Sequence, residues 1–335
     1  MKKCLSFIIA AIVLMSCLSG CGSTSNAVDV TAVASDTQAS VEEISSDGTD
    51  LQIVTTIFPE YDFAKHIVGD KGDVTLLIKP GVETHNFEPT AQDIIDINNS
   101  DLLITIGEEL SPWVKDLSKV LSKDVNIVNL SEGINLIDIE EFEEKYGLED
   151  EPSNESESHH LSHDEHIWLN LDNANIMIDN ITNKLCDLDK ENAPYYTQNA
   201  TNYKNEINAL KGEFEKLFKE NQITLVFGGE FSYAYFVEEF GINFKTVYNN
   251  CGEGEDPSII KVKSVIDYIN DNDIRVVFYP ELSNGSVAKM ISEQTKAEAE
   301  ILYSVHNGVV DGENPDTYVS LMKKNYYNIL KSINK

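Results

Sequence analysis

Three histidines of this 335-residue chain stand where α/β proteins usually do their chemistry. His85 lies in Lys79-Pro80-Gly81-Val82-Glu83-Thr84-His85-Asn86-Phe87-Glu88-Pro89, between a predicted strand end and a helix start. His166 closes an acidic tract in Asp164-Glu165-His166-Ile167-Trp168-Leu169-Asn170. His306 follows the last predicted strand in Leu302-Tyr303-Ser304-Val305-His306-Asn307. Loops at the carboxyl ends of strands are where open α/β sheets hold ligands, so these three imidazoles can converge in one cleft. Neutral imidazole is the commonest nitrogen ligand of zinc, and a carboxylate completes such sites. The other histidines read differently. His66 sits on the face of the first predicted helix and reads as a surface or hydrogen-bonded core residue. His159, His160 and His163 fall in the run ESESHHLSHDEH, where nothing fixes their geometry. Auxiliary, exchangeable metal contacts or plain solvation are expected of them.

Composition narrows the classes. Fifty-seven acidic residues face 25 basic ones, for a formal net charge of −32, and Arg275 is the single arginine. That balance excludes nucleic acid as a partner and suits the attraction of cations, although acidity also serves solubility. Of five cysteines, Cys4, Cys17 and Cys21 lie in the first 21 residues. Cys186 and Cys251 are too few for a disulfide framework, and whether they pair stays open. Residues 1–21 have a charged start, an apolar run from Leu5 to Leu18 and the ending Leu18-Ser19-Gly20-Cys21. This is the layout of a secretory signal, and its ending resembles the lipobox of bacterial lipoproteins. Cys21 is therefore expected to carry a lipid anchor on the extracytoplasmic face of the cell membrane; the alternative is an ordinary cleaved signal. No later run of about 18 apolar residues offers a membrane span.

The elements that must position the histidines follow from periodicity. Residues 22–50 are Ser/Thr/Ala/Asp-rich without a large apolar residue at helical or strand spacing, and read as a flexible tether. Strands are predicted at 53–58, 74–78, 102–106 and 125–128, with helices at 60–68, 91–98 and 112–121 between them. Thr90 and Asp93 form a near capping box for the second of these helices. Residues 138–166 hold twelve acidic residues, one lysine and four histidines, and read as a long mobile insertion. A helix begins near Asp172. A longer one spans 193–220, where Ala200, Tyr203, Ile207, Leu210, Phe214 and Leu217 make an apolar stripe. A second β/α series closes the chain, with strands at 224–227, 243–247, 275–279 and 300–303. Its helices are expected at 231–240, 258–270, 285–295 and from 316 onward. Such alternation predicts an α/β fold of two β/α lobes with mainly parallel four-stranded sheets, joined by a long rigid helix, with the cleft between the lobes. The expected divisions are a lobe at 51–171 containing the acidic His-rich loop 138–165, a linking helical region at 172–221, and a second lobe at 222–335.

An ordered set of short motifs then carries a resemblance. It comprises Phe58-Pro59-Glu60-Tyr61-Asp62-Phe63-Ala64, the Pro80 to Pro89 loop, Ser100-Asp101-Leu102 and Asp164-x-His166-x-Trp168-Leu169. It continues with Tyr196-x-x-Asn199-Ala200-x-x-Tyr203, Tyr233-x-Tyr235-Phe236 with Phe240-Gly241, Glu255-Asp256-Pro257-Ser258, and Tyr318-Val319-Ser320-Leu321-Met322. From Leu51 to the C-terminus the chain resembles the metal-binding receptors of zinc and manganese ABC importers. The resemblance implies limited hinge closure around a buried metal, an ABC-transporter permease as partner, a monomer and no enzymatic role. It places His85 and His166 on the first two ligands. Counting back from Phe240-Gly241, the third falls on Glu230, where zinc-preferring relatives have His and manganese-preferring ones Glu. The fourth, usually an acid after the last strand, is replaced by His306, with Glu281 and Glu83 in reserve. A site of His85, His166, Glu230 and His306 suits Zn²⁺, whereas Mn²⁺ would recruit more oxygen ligands. The alternatives are a manganese receptor, an adhesin on the same scaffold, or a zinc-dependent hydrolase. The last lacks any HExxH motif.

Overall fold

The computed structural model describes residues 50–82, 87–117, 119–122, 125–148, 162–249 and 257–333. The expected leader with Cys21, the tether as far as residue 49, and His85, Glu83, His159, His160 and Cys251 lie outside the described residues.

The first lobe runs β1 (Leu51–Thr55), α1 (Phe58–Val68), β2 (Gly72–Leu76), α2 (Ala91–Asn98), β3 (Leu102–Thr105), α3 (Pro112–Leu117) and β4 (Asn126–Asn129). Two long helices follow, α5 (Leu171–Leu188) and α6 (Ala193–Glu220), preceded by a short α4 (Ile139–Tyr146). The second lobe runs β5 (Thr224–Phe227), α7 (Ala234–Phe240), β6 (Asn243–Thr246), α8 (Ile259–Asp271), β7 (Val276–Tyr279), α9 (Ser286–Gln294), β8 (Glu298–Ile301) and α10 (Tyr318–Ile333). The sheets have the orders β2-β1-β3-β4 and β6-β5-β7-β8, parallel throughout. The same topology thus occurs twice. In each sheet the order reverses beside the first strand of its lobe, and the crevice at such a switch point opens at the carboxyl ends of the strands.

Each sheet is covered on both faces, as parallel sheets require. The outer face of the first packs Val54, Leu77 and Leu103 against Ile97 and Leu117; that of the second packs Val226 and Val277 against Val262, Val265 and Ile291. The two inner faces share one continuous core with α1, α5, α6 and α10. The α6 stripe supplies much of it: Ala200, Tyr203, Ile207, Leu210, Phe214 and Leu217 are all buried, joined by Tyr196. Burying each large apolar side chain contributes roughly 1.5–3 kcal/mol, so α6 is bonded to both lobes along its length.

Polar ties reinforce that joint. Asp62 on α1 accepts hydrogen bonds from the Tyr203 hydroxyl on α6 and from the Tyr318 amide at the start of α10. His66 stacks on Tyr203, with ring centroids 3.8 Å apart, and its Nδ1 lies 2.8 Å from the Asp62 carbonyl; it is a packed residue of the joint. On the other lobe, Glu239 of α7 accepts from the Leu171 amide at 2.8 Å and lies 3.2 Å from Lys211 of α6.

Three differences from the sequence expectation matter. The first strand stops at Thr55, not Phe58, because Glu60 reaches back to accept from the Thr56 amide and hydroxyl and the Ile57 amide, starting α1 early. Where the sequence predicts a long mobile insertion from residue 138, the chain forms a capped helix. Asp138 caps α4 by accepting from the Glu141 amide, and Phe142 is buried against Phe231 and Phe244. The last strand is Glu298–Ile301, two residues earlier than expected, which frees Leu302 to His306 to form a loop. The Thr90–Asp93 capping box forms as read, with the Asp93 amide donating to Thr90 Oγ1 at 3.2 Å and the Thr90 amide to Asp93 Oδ2 at 2.7 Å.

Candidate metal centre

His166 is placed by its immediate neighbours. Asp164 Oδ1 accepts from the His166 amide at 2.8 Å and lies 3.0 Å from its Nδ1, while the Asp164 amide donates to the Ile137 carbonyl at 3.0 Å. A short 3₁₀ turn, Ile167–Leu169, then buries Trp168 completely. With Nδ1 held by a carboxylate, Nε2 is the nitrogen oriented for ligation, the usual arrangement for a metal-binding imidazole.

His306 arrives from the other lobe on the loop after β8. The loop is fixed atom by atom. The Tyr233 hydroxyl donates to the Leu302 carbonyl, and the Tyr303 amide donates to Asn325 Oδ1 at 2.6 Å. Trp168 Nε1 donates to the Ser304 carbonyl at 2.8 Å, stitching the His166 segment to the His306 loop. Val305 is buried with φ of +61°, a left-handed conformation that a β-branched residue adopts only under constraint.

The two imidazoles meet with ring centroids 4.6 Å apart, edge to face, both packed on Trp168 at 5.4 and 4.8 Å. Glu165 joins them: its Oε1 lies 3.0 Å from His306 Nε2. His166 is 2% exposed, His306 5% and Glu165 8%. Among the described residues, Glu165, His166 and His306 are the one group of three metal-ligating side chains whose ligand atoms all lie within 4.8 Å of one another. Two imidazole nitrogens and a carboxylate, all three side chains buried, match the ligand types of a Zn²⁺ site.

Of the four expected ligands, then, the structure brings His166 and His306 together. Glu230 is half-buried just beyond β5 and stands outside this three-residue group. Its backbone position depends on Gly228 and Gly229, where a Cβ would sit 2.8 Å from the Ala288 Cα and from the Pro280 ring. His85 lies outside the described residues, but Gly81, four residues before it, donates its amide to Asn307 Oδ1 at 2.6 Å, next to His306. Glu281 accepts from the Ser304 amide and hydroxyl at 2.6 and 3.1 Å, and burial pushes its carboxyl above the usual range. His163 is held by Glu109 at 2.8 Å and by a strand-like bridge to Asp138. Glu165 was missed by sequence reasoning. Twelve acids in one tract masked the single one that turns inward, and its adjacency to His166 was the available signal.

The profile of the family described as zinc-uptake complex component A, periplasmic (ZnuA), matches residues 53–332. The chain is 28% identical over 323 residues to the high-affinity zinc uptake system protein ZnuA of Bacillus subtilis, covering 95% of this chain and 94% of that protein. It is 26% identical over 285 residues to the zinc-binding protein AdcA of Streptococcus pyogenes, spanning 82% of this chain and 54% of AdcA. Among solved structures, the metal-dependent lipoprotein YcdH of Bacillus subtilis aligns with a TM-score of 0.68 at 26% identity, over 84% of this chain and 99% of that one.

Proposed function

We propose that this chain, which belongs to the ZnuA family of zinc-uptake components, captures Zn²⁺ between its lobes and delivers it to the membrane permease of an ABC importer. The observation that carries the reading is the buried meeting of His166 and His306, one from each lobe, with Glu165 beside them. Zinc is the cargo here, and nothing is transformed covalently. Binding needs ligands that are deprotonated, oriented and shielded from water, and release needs the lobes to part. The ligands we assign are His166 and His306, with His85 and Glu230 completing the shell. His85 is supported by its place in the sequence and by the Gly81–Asn307 bond, which brings the start of its loop beside His306. Glu230 is supported by its position at the carboxyl end of β5, beside the switch point of the second sheet.

The chain works as a monomer held to the extracytoplasmic face of the membrane by a lipid on Cys21. Among the described residues no helix is long and apolar enough to cross a membrane. Cys21→Ala should release the protein from the cell membrane, read by fractionation; retention would refute the anchor.

The principal test is calorimetry on chelator-stripped mature protein, with about one tight Zn²⁺ expected. The absence of a tight site would refute the reading. Carboxylates at the centre also favour an oxygen-preferring cation, so Zn²⁺ and Mn²⁺ should be offered together and the bound metal analysed. Zinc is expected to dominate, because Mn²⁺ is weaker in the general affinity order and prefers more oxygen ligands.

A further inference from the structure

Behind His306 stands a buried carboxylate that belongs to none of the assigned ligands. Glu281 lies just past β7 on the second lobe. Both of its oxygens accept from Ser304 on the His306 loop, Oε2 from the amide at 2.6 Å and Oε1 from the hydroxyl at 3.1 Å, and the carboxylate is also hydrogen-bonded by the Asn307 backbone on the far side of His306. The same hydroxyl lies 3.3 Å from His306 Nδ1. The Ser304 carbonyl, in turn, accepts from Trp168 Nε1, two residues beyond His166. Ser304 is therefore a junction between Glu281, His306 and the His166 segment. The strained, buried Val305 between Ser304 and His306 turns the chain so that both neighbours take part.

We propose that Glu281 is a positioning residue for metal capture: through Ser304 it orients the His306 ring and sets its distance from His166. This rests on His306 being a ligand. The hydrogen positions are then determined. A cation on Nε2 requires the ring hydrogen on Nδ1, which donates to Ser304 Oγ. The hydroxyl in turn donates its hydrogen bond to Glu281 Oε1. A carboxylate suits the end of this relay because it only accepts. The arrangement extends by one hydroxyl the carboxylate–histidine–metal pattern that holds ligating imidazoles in one tautomer and orientation.

The test uses Glu281→Gln, Glu281→Ala, Ser304→Ala and the double alanine variant in the full mature chain. Zn²⁺ affinity is measured by competition with a chromophoric chelator, Co²⁺ coordination by its visible spectrum, and folding by thermal unfolding. Glu281→Ala and Ser304→Ala should each weaken Zn²⁺ binding by ~10–100-fold, the usual effect of losing an outer-shell partner. The double variant should lose no more than either single one, since both act through one relay. The Co²⁺ bands should shift in all of them, and Glu281→Gln, which keeps the shape and the amide bond, should fall between. Wild-type affinity and spectra in Ser304→Ala, or additive losses in the double variant, would overturn the relay. So would an affinity loss that follows unfolding while the Co²⁺ spectrum stays unchanged. Wild-type protein that takes up no zinc would instead overturn the functional reading, and this role with it.

Discussion

At the scale of single residues, the proposed centre rests on two imidazoles whose outer nitrogens are spoken for, His166 Nδ1 by Asp164 and His306 Nδ1 by Ser304. Each should therefore be worth more to the cation than an outer-shell partner is. His166→Ala and His306→Ala are expected to weaken Zn²⁺ binding beyond the ~10–100-fold of second-shell losses, read by chelator competition. Glu165 adds an oxygen donor at 3.0 Å from His306 Nε2. Glu165→Gln should weaken Mn²⁺ more than Zn²⁺, because the harder ion depends more on carboxylate. Mixed-metal competition checks the ratio. An equal loss for both ions would mean that Glu165 acts on the ring and not on the metal.

At the scale of elements, two helix contacts make predictions. The start of α1 is organised by a fully buried Glu60 whose pKa burial raises to about 8, from 4.5. A carboxyl raised in the folded state stabilises it fully below the unfolded value, and that stability is lost as pH rises through the folded one. Glu239, raised by burial to about 7, acts in an overlapping window. Thermal unfolding should therefore move to lower temperature between about pH 5 and 9, with a shallower slope in Glu60→Gln. The α1–α6 joint depends on the Tyr203 hydroxyl and Asp62. Tyr203→Phe leaves that buried carboxylate short of a donor and should cost about 1–3 kcal/mol, seen as a lower urea midpoint with an unchanged slope.

At the scale of the whole molecule, one core runs from the first lobe through α5, α6 and α10 to the second. The acidic tract divides accordingly. Deleting residues 149–161 should leave the tight site and remove only weaker metal binding. Deleting 138–163 also removes Phe142 from the core and the Asp138–His163 bridge, and should lower the unfolding midpoint. The two β/α lobes, the 28-residue helix and its stripe were legible in the sequence because they depend on local periodicity and on which residues avoid water. The nearness of His166 and His306 was an expectation from where they stand, His166 at the close of the acidic tract and His306 after the last strand, and the structure brings the two rings together. The inward turn of Glu165, the relay from Glu281 and the early end of β8 were not legible. Each depends on contacts between residues far apart in the chain: 141 positions between Glu165 and His306, and 23 between Glu281 and Ser304. Periodicity carries no information about which of many acids meets a given imidazole. Only the packing of Trp168 against the His306 loop, with one lobe stitched to the other, selects it.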